Sequence, residues 1–194
     1  MYLTNAQSFY AYLKSNVQSC VVSPLDPNGL DVVIRFCFAK APKTVFGKMR
    51  LVKTFVKGLI KVGVIVPVKV RFKPFTRGVA SMFDSGKIVF YKEFLFSQPY
   101  HESVLTTLHE SAHALLLGKD CYLDLKTCDV EFLSKYLTQP SQTVVCPIEY
   151  YANLTAISWL NQALQTNDQT QRSIALKQSI GQLQAKLEFA KEKI

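Results

Sequence analysis

This chain of 194 residues is poor in the features that mark several protein classes. Its five cysteines are scattered without a C-x-x-C pair, and no apolar run is long enough to span a membrane. An odd, scattered set of cysteines indicates free thiols in a reducing compartment. The N-terminus also lacks a basic start followed by an apolar block. We therefore expect a cytoplasmic protein without a membrane span or a secretion signal.

Acidic residues are absent from a long internal stretch. Between Asp31 and Asp84 there is no Asp or Glu, and the net charge of the whole chain is +9. The bases in that stretch are Arg35, Lys40, Lys43, Lys48, Arg50, Lys53, Lys57, Lys61, Lys69, Arg71, Lys73 and Arg77. Such a segment is typical of solvated lysine faces, or of a surface that attracts nucleic acid, an acidic partner or an acidic substrate. Nucleic-acid binding through residues 35–77 is therefore an alternative function.

Histidine is scarce as well, and two of the three histidines lie in one motif, His109-Glu110-Ser111-Ala112-His113. The surrounding stretch, Ser103 to Leu117, is strongly helical. Four residues make about one helical turn, so His109 and His113 share a face and can bind one ion. Two neutral imidazoles suit Zn²⁺. Zinc lowers the pKa of a bound water to about 7, and Glu110 can take its proton as the water attacks a carbonyl.

A broad apolar stripe on the same stretch leaves a structural alternative open. The stripe consists of Val104, Leu105, Leu108, Ala112, Leu115 and Leu116. It is typical of a helix with two core histidines, and also of a metallopeptidase helix whose ligands point inward to a cleft. Because the motif is improbable by chance in a chain so poor in histidine, we favour the zinc hydrolase.

Catalytic zinc normally has three protein ligands and an open position for water. The remaining histidine, His101, lies upstream and suits a capping or surface role, so we expect a downstream carboxylate. Glu149 has the best context, because it begins an apolar helical segment that starts at Pro147. A carboxylate at a helix N-terminus is also favourable for electrostatic reasons alone. Asp120 and Asp124 are the alternatives nearest to the motif.

Hydrophobic periodicity predicts the elements that precede the motif. Leu30 to Phe38 and Val64 to Lys73 are predicted strands, and Lys43 to Lys61 is a predicted helix between them. Arg77 to Phe83 and Lys87 to Lys92 are predicted to form a hairpin. The strand Lys87 to Lys92 is a candidate sheet edge with which an extended substrate can pair.

This order of elements, the motif, and Glu149-x-x-Ala152-Asn153-x-x-Ala156 together resemble the gluzincin metallopeptidases. Among these, the chain looks most like the compact ImmA/IrrE-type and SprT-like peptidases. The resemblance covers roughly residues 43–165 and implies an α+β, minimal zincin-like fold with a small mixed sheet. It also implies that His109, His113 and Glu149 hold zinc and that Glu110 is the general base. ImmA/IrrE-type members are similar to regulatory proteases, and SprT-like members act on proteins bound to DNA.

The C-terminal segment, Gln171 to Ile194, is predicted as one more helix. Its apolar residues recur at heptad spacing, and they are Leu176, Ile180, Leu183, Leu187, Ala190 and Ile194. This seam can dock on the domain's own core or pair with a second chain, so self-association through residues 176–194 stays open. We expect a metallopeptidase domain over residues 1–165, followed by a helical extension over residues 166–194.

The predicted function is zinc-dependent hydrolysis of peptide bonds in a protein or peptide substrate, by an intracellular regulatory protease. Besides the ligands and the general base, the tetrahedral oxyanion needs a further hydrogen-bond donor, which Tyr150 or Tyr151 can supply. The alternative is a basic, nucleic-acid-associated protein. It would be either a SprT-like protease acting on DNA-bound proteins or a binding module with a vestigial zinc site.

Overall fold

The computed structural model describes residues 24–74, 81–84, 86–118, 147–166 and 171–191. Its helices are α1 (Pro27–Cys37), α2 (Val45–Lys61), α3 (Lys92–Ser97), α4 (Tyr100–Gly118), α5 (Pro147–Thr166) and α6 (Gln171–Lys191). Its strands are β1 (Lys69–Lys73), β2 (Ser81–Asp84) and β3 (Lys87–Tyr91). A small sheet with helices segregated around it is an α+β arrangement, as predicted. In this part of the chain, no helix combines the length and the apolar character needed to cross a membrane.

The three strands form one mixed sheet in the order β1-β3-β2. β3 runs parallel to β1 and antiparallel to β2, so the predicted hairpin is confirmed. Gly86 precedes β3 with a φ of 81°, a conformation that glycine adopts without the clash of a Cβ atom. The prediction that the strand at residues 87–92 is a sheet edge is wrong, because β3 lies between the other two. Among the described strands, the edges are β1 and β2.

The predicted strand Leu30 to Phe38 is also wrong, because this segment belongs to helix α1. The helix begins with Pro27 in its first turn, and the Asp26 side chain accepts a hydrogen bond from the Gly29 amide at 2.7 Å. Val33 and Phe36 recur at helical spacing and are buried. A short apolar run suits a strand and a buried helix equally well, and periodicity alone does not separate them.

The predicted strand Val64 to Lys73 is shorter in the structure, where only Lys69–Lys73 pairs with β3. Pro67 lies in the first half of the predicted range and has no backbone N–H to donate to a ladder. The predicted helix Lys43 to Lys61 is confirmed as α2. It begins after Thr44, whose hydroxyl accepts a hydrogen bond from the Gly47 amide at 3.1 Å.

The core draws on the sheet and on helices from both ends of the described chain. Helix α4 packs mainly on α5, while α1 packs on α2 and α5, and α6 packs on α4 and α5. The largest fully buried side chains come from seven different elements, and they include Leu59, Phe90, Leu108, Trp159 and Leu176. The elements therefore share one hydrophobic core, with the motif helix α4 near its centre.

Helix α6 docks on this core through the heptad seam. Leu176, Ile180 and Leu187 are all buried and belong to the core cluster. Ala190 and Ile194 lie outside the described side chains. Two chains would pair through this seam only if the buried side chains left their own core. Docking is therefore the arrangement observed, and self-association through residues 176–194 stays a prediction.

Candidate metal centre

Five consecutive residues in the motif helix α4 are buried. The residues with 5% exposure or less over one and a half turns are Glu110, Ser111, Ala112, His113 and Ala114. Some of the polar side chains bond back to the helix, and Ser111 Oγ donates to the Thr107 carbonyl at 2.8 Å. Glutamate is almost never so deeply buried unless its charge is compensated. A cation held by the histidines beside Glu110 would contribute to such compensation.

The two motif histidines face each other across one turn of α4. Their Nε2 atoms are 3.1 Å apart, and their rings are nearly perpendicular at 88°. Two nitrogens bound to one Zn²⁺ at about 2.0–2.1 Å in tetrahedral geometry lie about 3.3 Å apart. The separation of the two Nε2 atoms is within about 0.2 Å of that value. The separation is that of a hydrogen bond between the two rings, and it is also compatible with one ion held by both Nε2 atoms.

Asn153 of helix α5 orients the His109 ring. His109 Nδ1 lies 2.9 Å from Asn153 Oδ1. An amide oxygen only accepts, so Nδ1 carries the proton and donates it to Asn153. The lone pair of the neutral ring is then on Nε2, the atom that faces His113. Histidines that bind a metal generally donate their other ring N–H in this way.

Asn153 is the site residue to which the sequence analysis assigned no role. The sequence contains a feature that could have identified it, because Asn153 is the one residue with a side-chain amide in an apolar turn flanked by Ala152 and Ala156. Both alanines are fully buried, and α5 is the main packing partner of α4. Such small residues allow the two helices to approach closely. Glu149, the predicted third ligand, precedes Asn153 by about one turn of the same helix.

For the predicted third ligand, Glu149, the structure describes the helix that carries it but not its side chain. Helix α5 begins at Pro147, as predicted, so position 149 lies in its first turn. The Glu149 side chain is outside the described part of the structure, as are Asp120 and Asp124. Within the described part, no group of three or more His, Cys, Asp or Glu side chains is arranged to hold a metal ion. The identity of the third ligand therefore stays a prediction.

His101 lies apart from the histidine pair. It occupies the first turn of α4, eight residues and about 12 Å along the axis before His109. Its Nε2 atom is 3.8 Å from a carboxylate oxygen of Glu102, and both side chains are partly exposed. This position agrees with the surface role expected from the sequence.

The two tyrosines proposed as transition-state donors occupy different positions on α5. Tyr151 is 2% exposed and belongs to the core cluster. It lies two residues before Asn153, about 200° around the helix, and so on another face. Tyr150 lies three residues before Asn153 and therefore on nearly the same side of α5, and its side chain is outside the described part. The helix register favours Tyr150 over Tyr151 as the residue near His109.

His109 borders a groove of about 240 Å³ between three helices. Leu105 and Thr106 of α4 and Gln182 and Leu183 of α6 contribute to its walls. Ser179 of α6 donates a hydrogen bond to the Glu102 carboxylate at 3.0 Å. The C-terminal helix therefore shapes the space beside His109 directly.

The one cysteine in the described part of the chain is not suited to act as a nucleophile or a metal ligand. Cys37 is a free thiol at the end of α1 and is fully buried. Burial raises the pKa of this thiol to about 12, against a smaller lowering effect of the Arg172 charge. Because only the thiolate is strongly nucleophilic and binds metals, Cys37 is a structural residue.

Comparison with known proteins gives no independent assignment for this site. No family model, no curated protein and no solved structure matches the chain significantly. The gluzincin resemblance therefore rests on the sequence motifs and stays a prediction.

Proposed function

We propose that this chain is a zinc-dependent metallopeptidase of the gluzincin type that hydrolyses peptide bonds in a protein or peptide substrate. The observation that supports this most directly is the convergence of the His109 and His113 Nε2 atoms, with Glu110 in the turn between them. Neutral imidazoles with oriented lone pairs are suitable ligands for Zn²⁺. A minimal zincin fold and a regulatory role in the cytoplasm belong to the same proposal.

The residues divide the chemistry between them. His109 and His113 hold the metal through Nε2, and Glu149 supplies the third ligand. When bound, Zn²⁺ supplies Lewis acidity, which polarises the scissile carbonyl and makes a coordinated water more acidic. Glu110 accepts the proton of the attacking water and delivers it to the leaving amine. The burial of Glu110 keeps bulk solvent away from this proton transfer, and Tyr150 donates a hydrogen bond to the oxyanion.

The sheet edge nearest to the motif helix is β2, and we assign the pairing of an extended substrate to this strand. β2 contacts α4, and its described neighbour in the sheet is β3 alone. A strand at an edge offers unpaired main-chain groups to an extended peptide. The groove beside His109 then receives a substrate side chain, with α6 as one of its walls.

Metal analysis tests the proposal and the third ligand together. Protein purified without chelator is expected to contain about one zinc per chain by elemental mass spectrometry. Glu149→Ala is expected to contain less, because the change removes the anionic ligand and leaves two imidazoles. Glu93→Ala, which removes an exposed carboxylate from α3, serves as the matched control and should retain the metal.

Two outcomes of this measurement would change the assignment. If the wild-type chain takes up no zinc even when zinc is added, His109 and His113 are structural and the metallopeptidase proposal fails. If Glu149→Ala retains all of its zinc, the role of third ligand passes to Asp120 or Asp124.

The hydrogen bond from His109 to Asn153 predicts a second effect on the metal. Asn153→Ala is expected to weaken zinc binding by about 10- to 100-fold, the usual effect of removing a residue that orients a metal-binding histidine. Competition with a chromophoric chelator measures this affinity. Asn153→Asp keeps an acceptor for Nδ1 and should restore most of the affinity. Asn161→Ala makes the same change at an exposed position of α5 and should have no effect. Equal affinities in the two alanine variants would show that Asn153 does not support the site.

A further inference from the structure

Four basic side chains converge on a second groove, between α2 and β1. The groove has a volume of about 290 Å³. Lys53 and Lys57 of α2 line it together with Lys69 and Arg71 of β1. All four bases are exposed, whereas the apolar lining residues Ile60, Val68 and Val70 are partly buried. The groove therefore combines a cationic rim with an apolar floor.

No acidic side chain offsets this charge from within the groove. None of the described lining residues is acidic, and the sequence has no Asp or Glu over residues 32–83. A concave site lined by charge of one sign concentrates the electrostatic potential and raises the local concentration of ligands of opposite charge. The groove therefore favours an anionic occupant.

The groove runs along the edge of strand β1 that no other described strand covers. Val68, Lys69, Val70 and Arg71 are consecutive residues, and all of them line it. Successive side chains of a strand point to opposite faces of its sheet, so a groove that contacts both sets lies along the edge. Among the described strands, β1 pairs only with β3. Within the described part of the chain, no strand pairs with the other side of β1, and the main-chain groups of such an edge can pair with an added strand.

One face of β1 is charged and the other is apolar, and this difference determines which residues an added strand should have. Lys69, Arg71 and Lys73 are exposed on one face, while Val70 and Phe72 are partly buried on the other. Opposite charges directly across two paired strands stabilise the pairing, as do apolar pairs. A peptide that alternates acidic and apolar residues matches both faces at once.

We propose that this groove binds an extended acidic peptide segment, which adds to the edge of β1 as a further strand. Its carboxylates contact Lys69 and Arg71 and its apolar side chains pack against the floor, while the charges of Lys53 and Lys57 on the α2 side of the groove attract the acidic segment as a whole. Nucleic acid fits the same surface less well, because single strands are generally bound on aromatic stacking platforms. None of the described lining residues is aromatic.

The groove requires neither the metal nor the peptidase reaction, since β2, the opposite edge of the sheet, is the strand that contacts α4.

Fluorescence anisotropy with a labelled peptide of alternating glutamate and valine tests the proposal on the full chain. We expect saturable binding that is the same with zinc and with a chelator, so the result does not depend on the metal site. Lys57→Glu combined with Lys69→Glu is expected to weaken binding at least about tenfold, because each reversal turns an attraction into a repulsion. The milder Lys57→Gln with Lys69→Gln should weaken binding in the same direction. This glutamine variant replaces the charge-reversed variant in the test if the latter does not fold.

Two controls separate strand addition in the groove from general attraction to a basic protein. Lys40→Glu with Lys43→Glu makes the same change in net charge at exposed positions outside the groove and should leave binding near the wild-type value. The same peptide with every main-chain nitrogen methylated keeps its charge but has no N–H group to donate to β1, and it should not bind. Equal losses in the two reversed pairs, or unchanged binding of the methylated peptide, would overturn the proposal. Binding of a single-stranded oligonucleotide but not of the peptide, lost in the groove variant, would also overturn it in favour of nucleic acid.

Discussion

Glu110→Gln is expected to fold and bind zinc like the wild-type chain but to lose peptide hydrolysis by at least about 10²-fold, the usual contribution of a general base. Glutamine has nearly the same volume as glutamate, so it fits a position that is 5% exposed in the middle of α4. Its amide has no basic oxygen that can take a proton from water. The change therefore removes the proton acceptor and leaves both metal-binding imidazoles in place.

The measurement needs a substrate for which the wild-type chain has measurable activity. Mapping the new N-termini that zinc-loaded protein generates in a pool of denatured proteins identifies cleaved sequences, and a fluorogenic peptide based on one of them gives kcat/KM. Zinc content is determined on the same samples. Glu93→Gln, the same change at an exposed position of α3, should keep wild-type activity. Full activity in Glu110→Gln, with zinc bound, would exclude Glu110 as the base.

Zinc is expected to stabilise the wild-type fold and to have no such effect on His113→Ala. A ligand present at 100 times its Kd raises the free energy of unfolding by about 2.7 kcal/mol. For a chain of this size, that corresponds to an increase in Tm of about 5–10 °C. His113 supplies one of two nitrogens that lie 3.1 Å apart, and its loss leaves a single imidazole. Thermal unfolding with zinc and with a chelator measures the difference.

The relevant quantity is the zinc-dependent change in Tm, because His113 is buried and its replacement also lowers the Tm without metal. His101→Ala removes the histidine at the other end of the same helix and provides the matched control. It should retain the full zinc-dependent increase. If His101→Ala and His113→Ala respond to zinc alike, the ion binds elsewhere and the site at His109 and His113 is not a metal centre.

The elements that were predicted correctly are encoded by patterns of residues that are close together in the sequence. Helical spacing of apolar residues identified α2 and the motif helix α4, and the turn residues Asp84-Ser85-Gly86 identified the hairpin of β2 and β3. The geometry of the histidine pair follows from the same local rule, since residues four apart share a helix face. The segment at residues 30–38 was mistaken for a strand because a short apolar run carries too little periodicity. Its packing in α1 against α2 and α5 decides the outcome.

The sequence by itself determined the composition of the candidate site: two imidazoles and a carboxylate at a spacing that one helical turn brings together. Only the tertiary structure decided that Asn153, 44 residues away in the chain, orients His109. It also decided that β3 rather than β1 or β2 is the central strand, and that lysines of α2 meet the bases of β1 in one groove. These outcomes depend on how separate elements pack on a common core. Such contacts join residues far apart in the chain, so no local pattern of residue types encodes them.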